Sequence, residues 1–220
     1  MQKRKTDIKR LTMAAMLCSL AYLAMVLIKI PVVLFLSYEP KDVIITLGGF
    51  IWGPMMALSV SLVVSFVEMI TVSSTGYIGL VMNILSTVSF AVVASLIYKK
   101  KRTLSGAIIG LVAGSITTTA LMLLWNYLIT PLYMHIPREE LAKLLIPAFL
   151  PFNLIKSTLN SAFVFLLYGP VVSALRNTGF IDKSKEESAS ARKPKYALLI
   201  LAAIVAVVCA VCILLLNGTI

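Results

Sequence analysis

Apolar residues in this chain fall in long continuous runs, not in the strict alternation of half-buried strands. The runs approach the ~20 residues needed to cross about 30 Å of hydrocarbon, so they predict transmembrane helices. The first is expected over residues 11–30 and is too long for the core of a signal peptide. Residues 43–70 are interrupted by Gly53-Pro54, and proline breaks or redirects a helix. Read as two helices meeting at that turn, they are followed by helices over residues 77–98, 104–130 and 151–175. The polar stretch 177–195 reads as a linker. Residues 196–216 form a further clean apolar span. The predicted class is an all-α polytopic membrane protein. A six-helix domain occupies residues 1–176, a cytoplasmic linker 177–195, and an additional transmembrane helix lies within 196–220. Strands are not expected.

Composition supports the membrane reading: 60% of the 220 residues are hydrophobic, 13% are charged and the mean hydropathy is +0.97. The net charge of +11 does not indicate nucleic acid, because the cations cluster by loop. Lys3, Arg4, Lys5, Lys9 and Arg10 precede the first span. Lys99, Lys100, Lys101 and Arg102 form a second block. Arg176, Lys183, Lys185, Arg192, Lys193 and Lys195 form a third. Basic blocks mark cytoplasmic loops. All three lie on one side only if residues 43–70 make two helices, which also puts the N-terminus in the cytoplasm. The first of those two helices is then short for a span, and must extend through residues 39–42 or border a cavity. Cys18, Cys209 and Cys212 sit in apolar runs and read as packing residues, and His135 is a lone histidine.

Candidate chemistry comes from polar residues inside the apolar runs. Glu68, Asn83, Asn126, Asn153 and Lys156 are expected at a similar depth, toward the side opposite the basic blocks. Buried polar groups in hydrocarbon are costly and mark functional sites. Asn153, Lys156, Ser157 and Asn160 follow i, i+3, i+4, i+7 spacing, one stripe of a helix. Asn83, Ser86 and Thr87 repeat the pattern. Asparagine and lysine suit a neutral or weakly anionic ligand rich in carbonyl, imide or hydroxyl groups. The bland alternative is hydrogen bonding between helices. Tyr38, in the loop before the second helix, offers a ring that can stack on a flat ligand or anchor at the interface. Gly106, Gly110 and Gly114 form a G-x-x-x-G ladder, read as close helix packing. No phosphate-binding loop, nucleophile elbow or H-E-x-x-H motif occurs, so neither catalysis nor ATP-driven transport by this chain alone is expected.

Several motifs resemble one known family. They are Tyr38-Glu39-Pro40-Lys41-Asp42-Val43, Gly48-Gly49-Phe50 with Gly53-Pro54, Met82-Asn83, Trp125-Asn126-Tyr127, and Pro151-Phe152-Asn153-Leu154-Ile155-Lys156. Together they look like the riboflavin-specific substrate-binding (S) component of energy-coupling-factor (ECF) transporters, over residues 8–182. The resemblance implies a six-helix S-component bundle around a vitamin pocket open to the outside and capped by the first extracellular loop. It implies that Asn126, Asn153 and Lys156 contact riboflavin, with Asn83 and Tyr38 as further ligand residues. It also implies a transmembrane coupling subunit and two cytoplasmic ATPase subunits as partners, in a bacterial cell membrane. Riboflavin is then cargo, and no cofactor or metal is expected. S components meet the coupling subunit through small residues on the first helix. Here Ala14-x-x-x-Cys18 and Ala15-x-x-x-Ser19 are small without being a strict A-x-x-x-A match. The seventh span departs from the six-helix pattern.

Two alternatives compete. One keeps the fold and changes the ligand to a phosphorylated flavin (FMN) or another vitamin. The other is a membrane sensor or assembly protein without transport, distinguished by the absence of a coupling subunit in a pull-down.

Overall fold

The computed structural model describes residues 2–33, 36–73, 75–178 and 180. Most of the expected linker 177–195, and all of the expected seventh span with Cys209 and Cys212, lie outside the described residues.

Helix α1 spans Gln2–Leu27, followed by strands β1 (Ile30–Val33) and β2 (Leu36–Tyr38). Helices α2 (Lys41–Trp52) and α3 (Pro54–Thr71) come next. Then follow α4 (Gly76–Lys101) and α5 (Leu104–Leu128), the short α6 (Thr130–Met134), and α7 (Arg138–Asn177). Five of these helices, all but α2 and α6, are long and apolar enough to cross a membrane. Helix α1 shows how the pattern is used: Met13, Leu17, Ala21 and Met25 are buried at four-residue intervals. Leu11, Met16, Leu20, Leu23 and Leu27 on its other faces are exposed, as suits a surface solvated by lipid.

The break at Gly53-Pro54 falls where expected. Gly53 takes φ +100°, open to glycine and strained for other residues, and Pro54 starts α3 without needing a backbone donor. Helix α2 has 12 residues, about 18 Å at 1.5 Å per residue, too short to span the hydrocarbon. It has little need to face lipid, because α1, α3, α4 and α7 pack around it and residues 45–50 are all buried. Its start at Lys41 puts two residues of the expected loop inside the helix.

Three boundaries depart from the sequence reading. Helix α1 begins at Gln2, through the basic block, because a helix can continue into water beyond the hydrocarbon. Strands were not expected, yet β1 and β2 form an antiparallel hairpin pairing Ile30 with Tyr38 and Pro31 with Ser37. Helix α7 begins 13 residues earlier than the expected start at residue 151. A π-helical stretch, Leu145–Phe149, accommodates Pro147 and widens the turn ahead of Pro151, so these prolines do not stop the helix.

The glycine ladder does bring helices together. A Cβ on Gly110 would lie 2.6 Å from the Ala94 carbonyl oxygen, and one on Gly114 2.7 Å from that of Phe90. Backbone therefore packs on backbone between α5 and α4. Gly114→Ala is expected to destabilise the bundle by about 1–3 kcal/mol through overpacking, lowering the thermal midpoint in detergent. An unchanged midpoint would contradict the close approach.

Candidate functional site

Two residues at the start of α2 organise the polar interior. Lys41 and Asp42 are each only 1% exposed. An acidic group in a first helical turn is favoured by the helix dipole, which accounts for Asp42 locally. The lysine beside it needs partners from elsewhere in the chain.

Asp42 supplies the first network. Its Oδ1 accepts a hydrogen bond of 2.7 Å from Thr87 Oγ1 on α4. Its Oδ2 accepts one of 3.3 Å from Asn160 Nδ2 on α7 and stands 3.6 Å from Lys156 Nζ. Asp42, Asn153, Lys156, Ser157 and Asn160, with Phe90 and Thr118, line one small internal cavity of about 10 Å³. Thr118 and Ser89 are joined by a 2.9 Å hydrogen bond, which fixes α5 against α4 at this level.

Lys41 supplies the second network. Its ammonium pairs with Glu39 at 3.1 Å and with Glu68 in direct contact. Asn83 Nδ2 donates to the other oxygen of Glu68 at 2.7 Å. Lys29 stands 3.7 Å from Glu39 at the edge. Four elements, the β2–α2 junction, α2, α3 and α4, are thereby tied together.

The five residues expected to bind ligand are thus distributed unevenly. Asn153 and Lys156 share the cavity with Asp42. Asn83 belongs to the Lys41–Glu68 network. Asn126 is 2% exposed and bonded along its own helix end, donating to the Met122 carbonyl at 2.7 Å and accepting from Thr130 Oγ1 at 3.0 Å. Asn153 likewise donates to the Phe149 carbonyl at 2.8 Å. Tyr38 is buried in β2, and its hydroxyl has no partner. Burial, and then the negative charge of Asp42, push that phenol well above its usual range, so it stays protonated as a donor.

Unpartnered buried atoms gather in this half of the bundle. Besides Tyr38 Oη they include Asn160 Oδ1, Thr119 Oγ1 and Trp125 Nε1. Each costs about 1–3 kcal/mol while unbonded, so a ligand carrying complementary donors and acceptors recovers that cost. The cavity charge is balanced, one carboxylate against one ammonium. A volume of about 10 Å³ holds no organic ligand, since such sites measure roughly 300–1,000 Å³. The site is too small for such a ligand in this structure, and binding requires it to widen. The hairpin is placed to participate: Leu36 of β2 packs with Leu141, Phe149 and Phe152 of α7, next to Asn153.

Sequence reasoning passed over Asp42 as the hub and Lys41 as the buried counterion. The available signal was Glu39-Pro40-Lys41-Asp42 running directly into a short, otherwise largely apolar segment.

The comparisons with known proteins agree on one family. Residues 9–168 match the family described as "ECF transporter, substrate-specific component". Riboflavin transporter RibU of Staphylococcus aureus (strain TCH60) is 30% identical over 177 residues, covering 76% of this chain and 93% of that protein. Riboflavin transporter FmnP of Bacillus subtilis (strain 168) is 26% identical over 185 residues, covering 77% and 97%. Among solved structures, one described as "Structure and mechanism of the S component of a bacterial ECF transporter" superposes with a TM-score of 0.66 at 30% identity. It covers 77% of this chain and 99% of its own. With the match spanning most of the bundle, this multi-pass membrane protein belongs to the substrate-specific components of the ECF transporters.

Proposed function

We propose that the chain binds riboflavin and carries it inward as the S component of an ECF-type vitamin uptake transporter. The observation that supports this best is the polar cavity where Asn153 and Lys156 of α7 meet Asp42 of α2 beside the unpartnered Asn160 Oδ1. An isoalloxazine ring presents carbonyl, imide and ring nitrogen groups, which match amide, ammonium and hydroxyl partners. Asn126 and Tyr38 lie outside the present lining and join the pocket as it widens, and Asn83 holds Glu68 beside Lys41. The two relatives named riboflavin transporters favour the same cargo. Riboflavin is cargo and is not chemically changed. The coupling subunit and two ATPase subunits supply the energy.

Asp42 bears on the competing ligand. Lys156 already faces a carboxylate at 3.6 Å, so a phosphate there would meet a negative charge with no free cation to offset it. Riboflavin is favoured over its phosphate ester.

The test is uptake. Cells unable to make riboflavin, expressing this chain with an ECF coupling module, are expected to accumulate riboflavin. Failure to do so alongside a working family member contradicts the proposal. The charge rule further places the Gly53-Pro54 turn, the Lys99 to Arg102 block and the N-terminus in the cytoplasm. A cysteine at position 100 is then labelled only from inside; labelling from outside reverses this orientation.

A further inference from the structure

A roomier cavity of about 480 Å³ opens at the other end of the bundle, away from the proposed vitamin site. Four cations from three helices line it: Arg10 within α1, Lys99 and Arg102 at the end of α4, and Arg176 at the end of α7. No carboxylate is among its lining residues, and none of the four forms an ion pair among the described residues. The contrast with the opposite end is sharp, where Lys29, Lys41 and Lys156 all face carboxylates. Arg176 Nε is buried without a hydrogen-bond partner.

Helix dipoles do not account for this excess. The C-termini of α2, α4 and α7 meet here, each worth about half a negative charge, and the N-terminus of α3 offsets one of them. Four full positive charges outweigh that sum. The backbone also holds the arrangement at some cost. Arg102 sits at φ 41°, a left-handed conformation uncommon outside glycine, with its N–H bonded to the Tyr98 carbonyl at 2.7 Å. The wall beside the cations is aromatic. Phe50 stacks on Tyr98 with ring centroids 4.4 Å apart, and the Tyr98 and Tyr168 hydroxyls share a 2.8 Å hydrogen bond.

We propose that this cavity binds a phosphate group attached to an apolar body, held by Arg102 and Arg176 with Arg10 and Lys99 as supporting charges. Arginine forks match phosphate oxygens geometrically. Basic pockets between transmembrane helices accept phospholipid head groups, and the same cations accept a soluble phosphate ester. The aromatic wall takes the apolar part in either case.

Trp52 lines the cavity and reports on it. The full-length protein carrying Trp125→Phe, which leaves Trp52 as its one tryptophan, is purified in neutral detergent. Its fluorescence is followed during separate titrations with short-chain phosphatidylglycerol, short-chain phosphatidylcholine and phenyl phosphate. A saturable change with phosphatidylglycerol but not phosphatidylcholine supports the site and identifies a lipid source. A change with phenyl phosphate supports it and identifies a soluble one. Arg102→Gln with Arg176→Gln is expected to weaken the response at least about tenfold, as loss of charge-assisted bonds implies. Lys99→Gln is the second variant; its side chain is exposed, so the fold is expected to tolerate the change while binding weakens severalfold. No saturable change with either phosphate probe overturns the proposal. So does a response that both the double variant, if folded, and Lys99→Gln leave unchanged.

Discussion

Lys41→Met is expected to destabilise the folded protein by about 3–5 kcal/mol, the usual consequence of removing one partner from a buried ion pair. Lys41 is 1% exposed and stands between Glu39 and Glu68, themselves 9% and 7% exposed. Without the ammonium, two buried carboxylates lose their shared counterion. Asn83 then donates to a charge that nothing balances. The pair as a whole contributes much less than its loss costs, because burying both charges is itself unfavourable. The double variant Lys41→Met with Glu68→Gln is therefore expected to recover a large part of the lost stability. Thermal unfolding in detergent checks both. A single variant as stable as the parent would show that Glu39 and Glu68 are not held by Lys41.

Asn153→Ala and Lys156→Ala are each expected to weaken riboflavin binding by about 1–3 kcal/mol, roughly 5- to 150-fold in Kd. Asn153 loses an amide that reaches the cavity. Lys156 loses a charged donor and also leaves Asp42 without its nearest cation. Ser157→Ala is expected to have a smaller effect, because Ser157 Oγ already donates to the Leu154 carbonyl at 3.2 Å. Equilibrium titration of each variant measures the loss. Asn153→Ala binding as tightly as the parent would place the pocket elsewhere.

Much of the scaffold was legible because hydrocarbon imposes simple rules. Helices α3, α4 and α5 follow from run length, and the α2–α3 break from Gly53-Pro54. The Gly110 and Gly114 contacts follow from small residues at four-residue spacing. Less was legible where tertiary partners overrule local preference. The helix was expected to start at residue 151, but a π-helical turn over Leu145–Phe149 lets α7 run through Pro147 and Pro151. The apolar segment around Pro31 showed no alternation, so its pairing with Ser37 was hidden.

The candidate site shows the same limit. Run length alone left open whether the short second helix takes in residues 39–42 or borders a cavity, and gave Lys41 and Asp42 no role. Their burial depends on Glu68, Thr87 and Asn160, which lie 27, 45 and 118 residues further along the chain. Spacing along one helix correctly put Asn153, Lys156 and Asn160 on one stripe. It had no means of separating Asn83 and Glu68 into a network of their own.

The central claim is that the small polar cavity between α2 and α7 widens to hold riboflavin. Titrating riboflavin into the purified chain while recording flavin fluorescence tests it most directly. Saturable quenching at micromolar flavin or below, as an aromatic wall covers the ring, is the predicted result. No quenching in well-folded protein at those concentrations would contradict it.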